Sequence, residues 1–266
     1  MNAIGFARRG AAAAALMALT FPAGAQMACR AASELLTQPL VELYTSEGCD
    51  SCPPADRWLA AHFASPAVTK RGIALAFHVD YWDRLGWIDR FGSARNTERQ
   101  QQAMRANGTT FVYTPQVLVQ GRDVPAWAER GVAAVDAAAR QPARATLQIA
   151  ATMDGQRAVD VEVDAAIVDP ALRRDAALFV AYVDSGLTSD VGAGENRGVR
   201  LRHEHVVRDL RRIGPADTQG RIAGRAHFAR PREPGISPML VAFVQRDGNG
   251  DVLQTATLPL GGCGSN

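Results

Sequence analysis

Two cysteines, Cys49 and Cys52, stand three residues apart between an apolar run, Leu40-Val41-Glu42-Leu43-Tyr44-Thr45, and the proline pair Pro53-Pro54. The run has the composition of a strand. A proline in the first turn of a helix removes no backbone bond. The cysteines therefore sit at a strand-to-helix junction, where the unpaired amides of the helix N-terminus favour thiolate over thiol. A second thiol one turn further on can close a disulfide onto the first. This arrangement predicts a two-electron redox pair, with Cys49 the more exposed nucleophile and Cys52 the thiol that resolves a mixed disulfide. A static disulfide is the plainer reading of the same spacing.

The chain begins with an address. Arg8 and Arg9 precede the apolar stretch Ala11 to Leu19, and Ala23-Gly24-Ala25 has the small-x-small form of a cleavage site, so residues 1–25 read as a signal peptide. That stretch is too short to span a bilayer, and no later one reaches about 18 uninterrupted apolar residues. The expected location is the bacterial periplasm or the exterior. Removing residues 1–25 leaves 241 residues (266 − 25) and takes away two arginines and no acids, so the formal charge falls from +2 to zero. A neutral chain with scattered arginines argues against nucleic acid or anionic lipid as a partner. In an oxidising compartment its four cysteines read as disulfide chemistry first. With Cys49 and Cys52 paired locally, Cys29 and Cys263 are left over, which predicts a structural bridge tying the chain ends together. Lipid attachment at Cys29 is the rival, though Gln26 stands where such signals usually carry Leu.

Two regions differ in texture. Residues 38–141 alternate apolar runs with helical periodicity, the pattern of an α/β layer. Strands are expected at Leu40 to Thr45, Ile73 to Val79 and Val117 to Val119. Helices are expected from Pro53 or Pro54, from Gly92 or Ser93 up to Asn107-Gly108, and from Pro125 to Arg140. Residues 143–260 read as β. Val159, Val161 and Val163 alternate with Asp160, Glu162 and Asp164. Further strands are expected at 147–151, 176–183, 199–207, 222–228, 240–245 and 252–258, and such spacing suggests a β-sandwich.

Several residues outside the cysteine pair could carry chemistry. Thr114-Pro115 precedes an apolar strand, where a proline removes a ladder donor. A cis proline there would face Cys49 and offer Thr114 and its backbone to an extended peptide. Asp80 follows the second strand and could accept a proton near Cys52, or simply bond within its loop. Trp82 could wall a peptide groove. A metal carrier would use Cys49, Cys52 and His78, but there is no second C-x-x-C, and no metal or other cofactor is expected. His203 and His205 share one strand face and could grip a metal, but they sit among Arg200, Arg202, Glu204 and Arg208 and read as a solvated or interface face. Asp247-x-Asn249-x-Asp251 imitates a calcium loop, but Val252 and Leu258 stand where such a loop needs Gly and Glu.

Leu43-Tyr44-Thr45-Ser46-Glu47-Gly48-Cys49, Cys52-Pro53-Pro54-Ala55-Asp56, His78-Val79-Asp80-Tyr81-Trp82, Tyr113-Thr114-Pro115-Gln116 and Gly194-Glu195-Asn196-Arg197-Gly198 resemble the secreted bacterial domain-of-unknown-function 1223 family. The resemblance implies an α/β thioredoxin-like domain over 38–141, followed by a mostly antiparallel β-sandwich domain over 143–260. By analogy it implies a thiol-disulfide oxidoreductase acting on protein or peptide thiols and disulfides, with an upstream redox donor. The chain departs from thioredoxin proper in having Gly48 before the first cysteine, Asp50-Ser51 between the two, and Leu43 where a buried aspartate would stand. A non-catalytic envelope binding module with a structural disulfide is the other reading.

Overall fold

The structure, a computed structural model, describes residues 29–63, 71–154, 157–261 and 263. The expected signal peptide, residues 1–25, lies outside them.

β1 (Cys29–Ala32) opens the described chain, and β2 (Leu40–Thr45) runs into the cysteine turn. α1 (Pro53–Phe63) starts at the proline pair, and β3 (Ile73–His78) returns through the core. α2 (Ala94–Ala106) is capped by Ser93, whose hydroxyl accepts from the Asn96 amide at 3.3 Å. β4 (Gln116–Val119), the short β5 (Arg122–Asp123) and α3 (Trp127–Ala139) complete the first half. The second half is strand after strand: β6 (Thr146–Asp154), β7 (Ala158–Ala166), β8 (Ala176–Asp184), β9 (Leu187–Asp190), β10 (Arg200–His203), β11 (Val206–Pro215), β12 (Arg221–Ala229), β13 (Met239–Arg246) and β14 (Val252–Pro259). The stretch expected as one strand over 199–207 is broken at His205, which has a φ of 57°.

The expectation of an α/β thioredoxin-like domain followed by a separate sandwich is overturned. Strand dominates, with three α-helices among the described residues. One eight-stranded sheet, ordered β14-β13-β8-β11-β3-β2-β4-β5, runs unbroken through strands of both halves. The join is at β3, which pairs with β2 on one edge and, in parallel, with β11 on the other, Val206 lying opposite Ala76. The Ala76 amide donates to the His205 carbonyl at 2.7 Å. The physical reason is burial. β3 is buried at all six positions, and a buried strand cannot leave the amides and carbonyls of one edge unpaired. The later strands supply what that edge needs.

The rest follows from which faces are apolar. A second sheet, β1-β6-β7-β12, packs in a sandwich-like arrangement on one face of the large sheet. Leu147, Ile149, Val159, Val161 and Val163 from the small sheet meet Leu178, Val180, Leu240, Val244 and Leu258 from the large one. The alternating valines of β7 point into this layer and the acids between them point out. Farther along the same face, α1 and α3 cover Val41, Leu43, Ala74, Ala76, Val117 and Val119. The opposite face carries Leu75, Phe77, Phe179, Phe243 and their neighbours in one cluster that crosses the join. Here α2 lies across the sheet. Its Arg99 takes both oxygens of buried Glu42 at 3.0 and 2.8 Å, which explains an acid inside an otherwise apolar strand.

Among the described residues no helix is long and apolar enough to cross a membrane.

Candidate functional site

Cys49 and Cys52 are joined by a disulfide at the carboxyl end of β2, where the chain turns into α1. The turn is built from backbone bonds: Cys49 N–H donates to Ser46 O, Cys52 N–H to Cys49 O, and the amides of Ala55 and Asp56 to Cys52 O. Both cysteines are fully buried, so the expectation of an exposed Cys49 does not describe this state. Gly48 is needed for close approach, because a Cβ there would lie 3.0 Å from the Trp82 Cβ.

The segment before β4 closes over the pair. The Thr114–Pro115 peptide is cis, and Thr114 Oγ1 lies 3.4 Å from Cys49 Sγ. Ser51 Oγ lies at the same 3.4 Å. Trp82 Nε1 donates to Thr114 Oγ1 at 2.8 Å, which ties the tryptophan to this segment. Gln100 of α2 donates to Tyr113 O at 2.8 Å and fixes the approach to the proline. Asp80 Oδ1 accepts from Thr97 Oγ1 at 2.6 Å, a bond between its loop and α2.

The second half of the chain reaches into the turn. Asn196 Nδ2 donates to the carbonyls of Glu47 and Cys49, each at 2.9 Å. The Glu195 carboxylate accepts from the Asp50 amide at 3.1 Å. Loop 195–196 is thus a strap across the cysteine turn.

Beside the turn lies a buried cluster of histidine–carboxylate pairs that no local sequence pattern brings together. His78 Nδ1 pairs with Asp89 Oδ2 at 2.7 Å, and His203 Nε2 with Glu47 Oε1 at 3.0 Å. All four side chains are at most 2 % exposed. The two imidazoles stand edge to face, 4.9 Å apart between centroids, and each packs on Phe91. Asp89 also accepts from the Glu47 amide at 2.9 Å, and Trp87 Nε1 donates to Glu47 Oε2 at 2.7 Å. Asp56, half-buried one turn beyond Cys52, accepts from Thr45 Oγ1 at 3.1 Å.

Burial and pairing pull these groups in different directions. Burial pushes Asp89 up, but the His78 charge and hydrogen bonds from His78 and two backbone amides outweigh it and hold the carboxyl at about 2. Burial pushes His78 down, and Asp89 foremost, then Asp56 and Glu47, bring it above the ordinary histidine value. Glu47 is pushed up by burial and lowered overall by its hydrogen bonds to His203 and Trp87. Asp56 is raised, chiefly by burial, against the pull of His78 and His203.

His203 is therefore not on a solvated face. Its neighbour His205 is also buried and is held at about 4 by burial. Among the described residues no group of three or more His, Cys, Asp or Glu could hold a metal ion, and His78 faces Asp89, Phe91 and His203. A signal for the cluster was present in the apolar setting of His78 and in Asp89 behind Trp87. Nothing in the local pattern tied either to residue 203.

The profile of a family described as protein of unknown function (DUF1223) matches residues 40–245. The chain belongs to the DUF1223 family. The match spans the cysteine turn, the Thr114–Pro115 segment, the strap and most of the joined sheet. Protein AGR_C_4864 of Agrobacterium tumefaciens is similar in structure, with a TM-score of 0.62 and 28% identity over 85% of this chain and 96% of that one. HBP35 of Porphyromonas gingivalis shares the fold, with a TM-score of 0.60 and 12% identity over 85% of this chain and 76% of that one. No curated protein matches.

Proposed function

We propose that this DUF1223 protein is a thiol-disulfide oxidoreductase of the bacterial periplasm or exterior, acting on protein or peptide thiols and disulfides. The observation that carries the reading is the placement of Thr114 Oγ1, from the cis Thr114–Pro115 pair, 3.4 Å from Cys49 Sγ at the start of α1. A hydroxyl there can donate to a Cys49 thiolate, and the adjoining backbone can dock an extended chain. In the reductive direction Cys49 attacks a partner disulfide and forms the mixed disulfide. Cys52 then attacks Cys49 Sγ, re-forms the internal bond and releases the second partner thiol. Trp82 holds Thr114 in position.

The charges favour a reducing couple fed by an upstream donor. No Lys or Arg lies between Leu40 and Asp56, and Glu195 already occupies the Asp50 amide that could otherwise support a thiolate. A second reading, a binding module with an inert disulfide, is favoured by the complete burial of both cysteines. Turnover requires the strap at 195–196 or the Thr114 segment to move and uncover Cys49. Cys52→Ala expressed in the native envelope separates the two readings. Mixed disulfides between Cys49 and other proteins are the expected result, and their absence would leave the inert reading standing.

A further inference from the structure

Between α2 and the large sheet lies a cavity of about 320 Å³, and no described residue of the cysteine turn lines it. Leu118 and Phe179 of the sheet and Ala103 of α2 give it apolar walls. Arg99 also lines it, with 10 % of its side chain exposed. Its guanidinium is held in place on several sides. Nε and Nη2 donate to Glu42, and Nη2 donates to Gln245 Oε1 at 3.0 Å. The rings of Phe77, Phe179 and Phe243 lie 5.2, 5.7 and 5.2 Å away. Glu42 is fully matched, because the Tyr44 hydroxyl donates to it as well at 2.9 Å. Arg99 is not. Nη1 carries no hydrogen bond among the described residues, although the Tyr44 hydroxyl lies near the guanidinium. An arginine kept only to neutralise Glu42 gains nothing from opening its last two donors onto a cavity, since donors without an acceptor are costly in an interior.

The charges around the cavity point the same way. Arg212 and Arg246 line it beside Arg99, and the acids that line it are Glu42 and Asp247. Glu42 is taken by Arg99, and Asp247 accepts from Arg212 Nη2 at 2.8 Å. Arg246 has no acid partner among the described residues; its Nε makes a 3.3 Å bond to the Arg174 carbonyl. Three guanidinium groups against two carboxylates leave one positive charge unmatched.

We propose that this cavity binds a small monocarboxylate with an apolar body, its carboxylate taken by Arg99 Nη1 with Arg246 as the second cation, and its body set against Leu118, Phe179 and Ala103. A planar carboxylate matches the geometry of a guanidinium fork, and a fork already fixed by Glu42, Gln245 and three rings loses little freedom on binding. A single negative charge balances the surplus, whereas a phosphate dianion overshoots it beside the Glu42 carboxylate. The volume lies at the lower end of the range for small-ligand cavities, about 300 to 1,000 Å³, which excludes a bulky occupant. The site uses neither cysteine and goes beyond the oxidoreductase reading, so the two stand or fall separately.

The test is isothermal titration calorimetry of the intact protein, both disulfides formed, with benzoate as the probe. Benzamide, of the same shape without the charge, and inorganic phosphate are the comparisons. Benzoate should saturate a single site below about 10 mM, with benzamide and phosphate weaker by about tenfold or more. Ala103→Leu fills the cavity without touching a charge and should weaken benzoate about tenfold. Arg246→Gln lies outside the buried Arg99–Glu42 pair and should weaken it about threefold. Arg99→Lys keeps the charge, loses the fork and should weaken it about tenfold. No saturable benzoate binding to the wild type overturns the proposal. Benzamide or phosphate binding as tightly as benzoate overturns the carboxylate assignment, and undiminished binding by Ala103→Leu overturns the location. Should Ala103→Leu or Arg99→Lys not fold, undiminished binding by Arg246→Gln overturns the site.

Discussion

Cys49–Cys52 spans a sequence separation of 3 and has the hydroxyls of Ser51 and Thr114 each 3.4 Å from Cys49 Sγ, whereas Cys29–Cys263 spans 234 and packs against the apolar layer between the two sheets. In the chain-entropy account a loop of the longer kind stabilises by about 5 kcal/mol and one of the shorter kind by under about 2 kcal/mol. The long bridge belongs to stability. It joins β1, a strand of the small sheet, to the segment after β14, a strand of the large one. The short one adds little to stability and has two hydroxyls beside it. The same covalent bond thus stands in two different settings, which differ in loop length and in the polarity of the neighbours.

Three measurements can break or sharpen that contrast. The largest effect is expected from Cys29→Ala with Cys263→Ala, which should lower the free energy of unfolding by up to about 5 kcal/mol in urea titrations. The rate at which dithiothreitol opens Cys49–Cys52 in the folded protein should not change. An equal loss of stability from Cys49→Ala with Cys52→Ala would erase the contrast.

The next effect is acid sensitivity, confined to the charged corner. Asp89 is held at about 2, below its unfolded value, so its contribution to stability is complete above about pH 4 and is lost as pH falls through about 2. Over that window the wild type should lose about 2 kcal/mol that Asp89→Asn does not lose, read from urea midpoints at each pH. Equal acid sensitivity in the wild type and Asp89→Asn would show that the corner's charges are not what acid attacks. The smallest effect is expected from Asn196→Ala. It leaves two carbonyls of the cysteine turn without their donor and should cost about 1 kcal/mol. Reduced Cys49 should then react faster with iodoacetamide, because the strap no longer holds the turn. An unchanged labelling rate would move the cover over Cys49 from the strap to the Thr114 segment.

Much of this was legible along the chain. Leu40 to Thr45 and the alternating valines at 159–163 carry periods that report a buried strand and a half-buried one, and the structure has β2 and β7 there. Ser93 and the Pro53-Pro54 pair mark helix starts through capping and the harmless loss of an amide, which are local effects. The short strands β1 and β9 went unseen, because four residues of mixed polarity carry no period that stands out. The shared sheet is illegible for a different reason. Nothing in Ile73 to His78 says which strand will occupy its second edge, and that place goes to β11, more than a hundred residues later.

The amino-acid sequence by itself determined the cysteine turn, the strand before it and the helix after it, since each rests on neighbours within a few residues. Pairing of the leftover cysteines followed from counting. Only the tertiary structure decided that both halves share one sheet, that Asn196 and Glu195 strap the turn, and that His203 meets Glu47 and His78 in the dark behind it. Those contacts join residues about 125 to 156 positions apart. A charged side chain reads as solvated in any local window, and its burial becomes affordable only when a distant partner arrives to neutralise it.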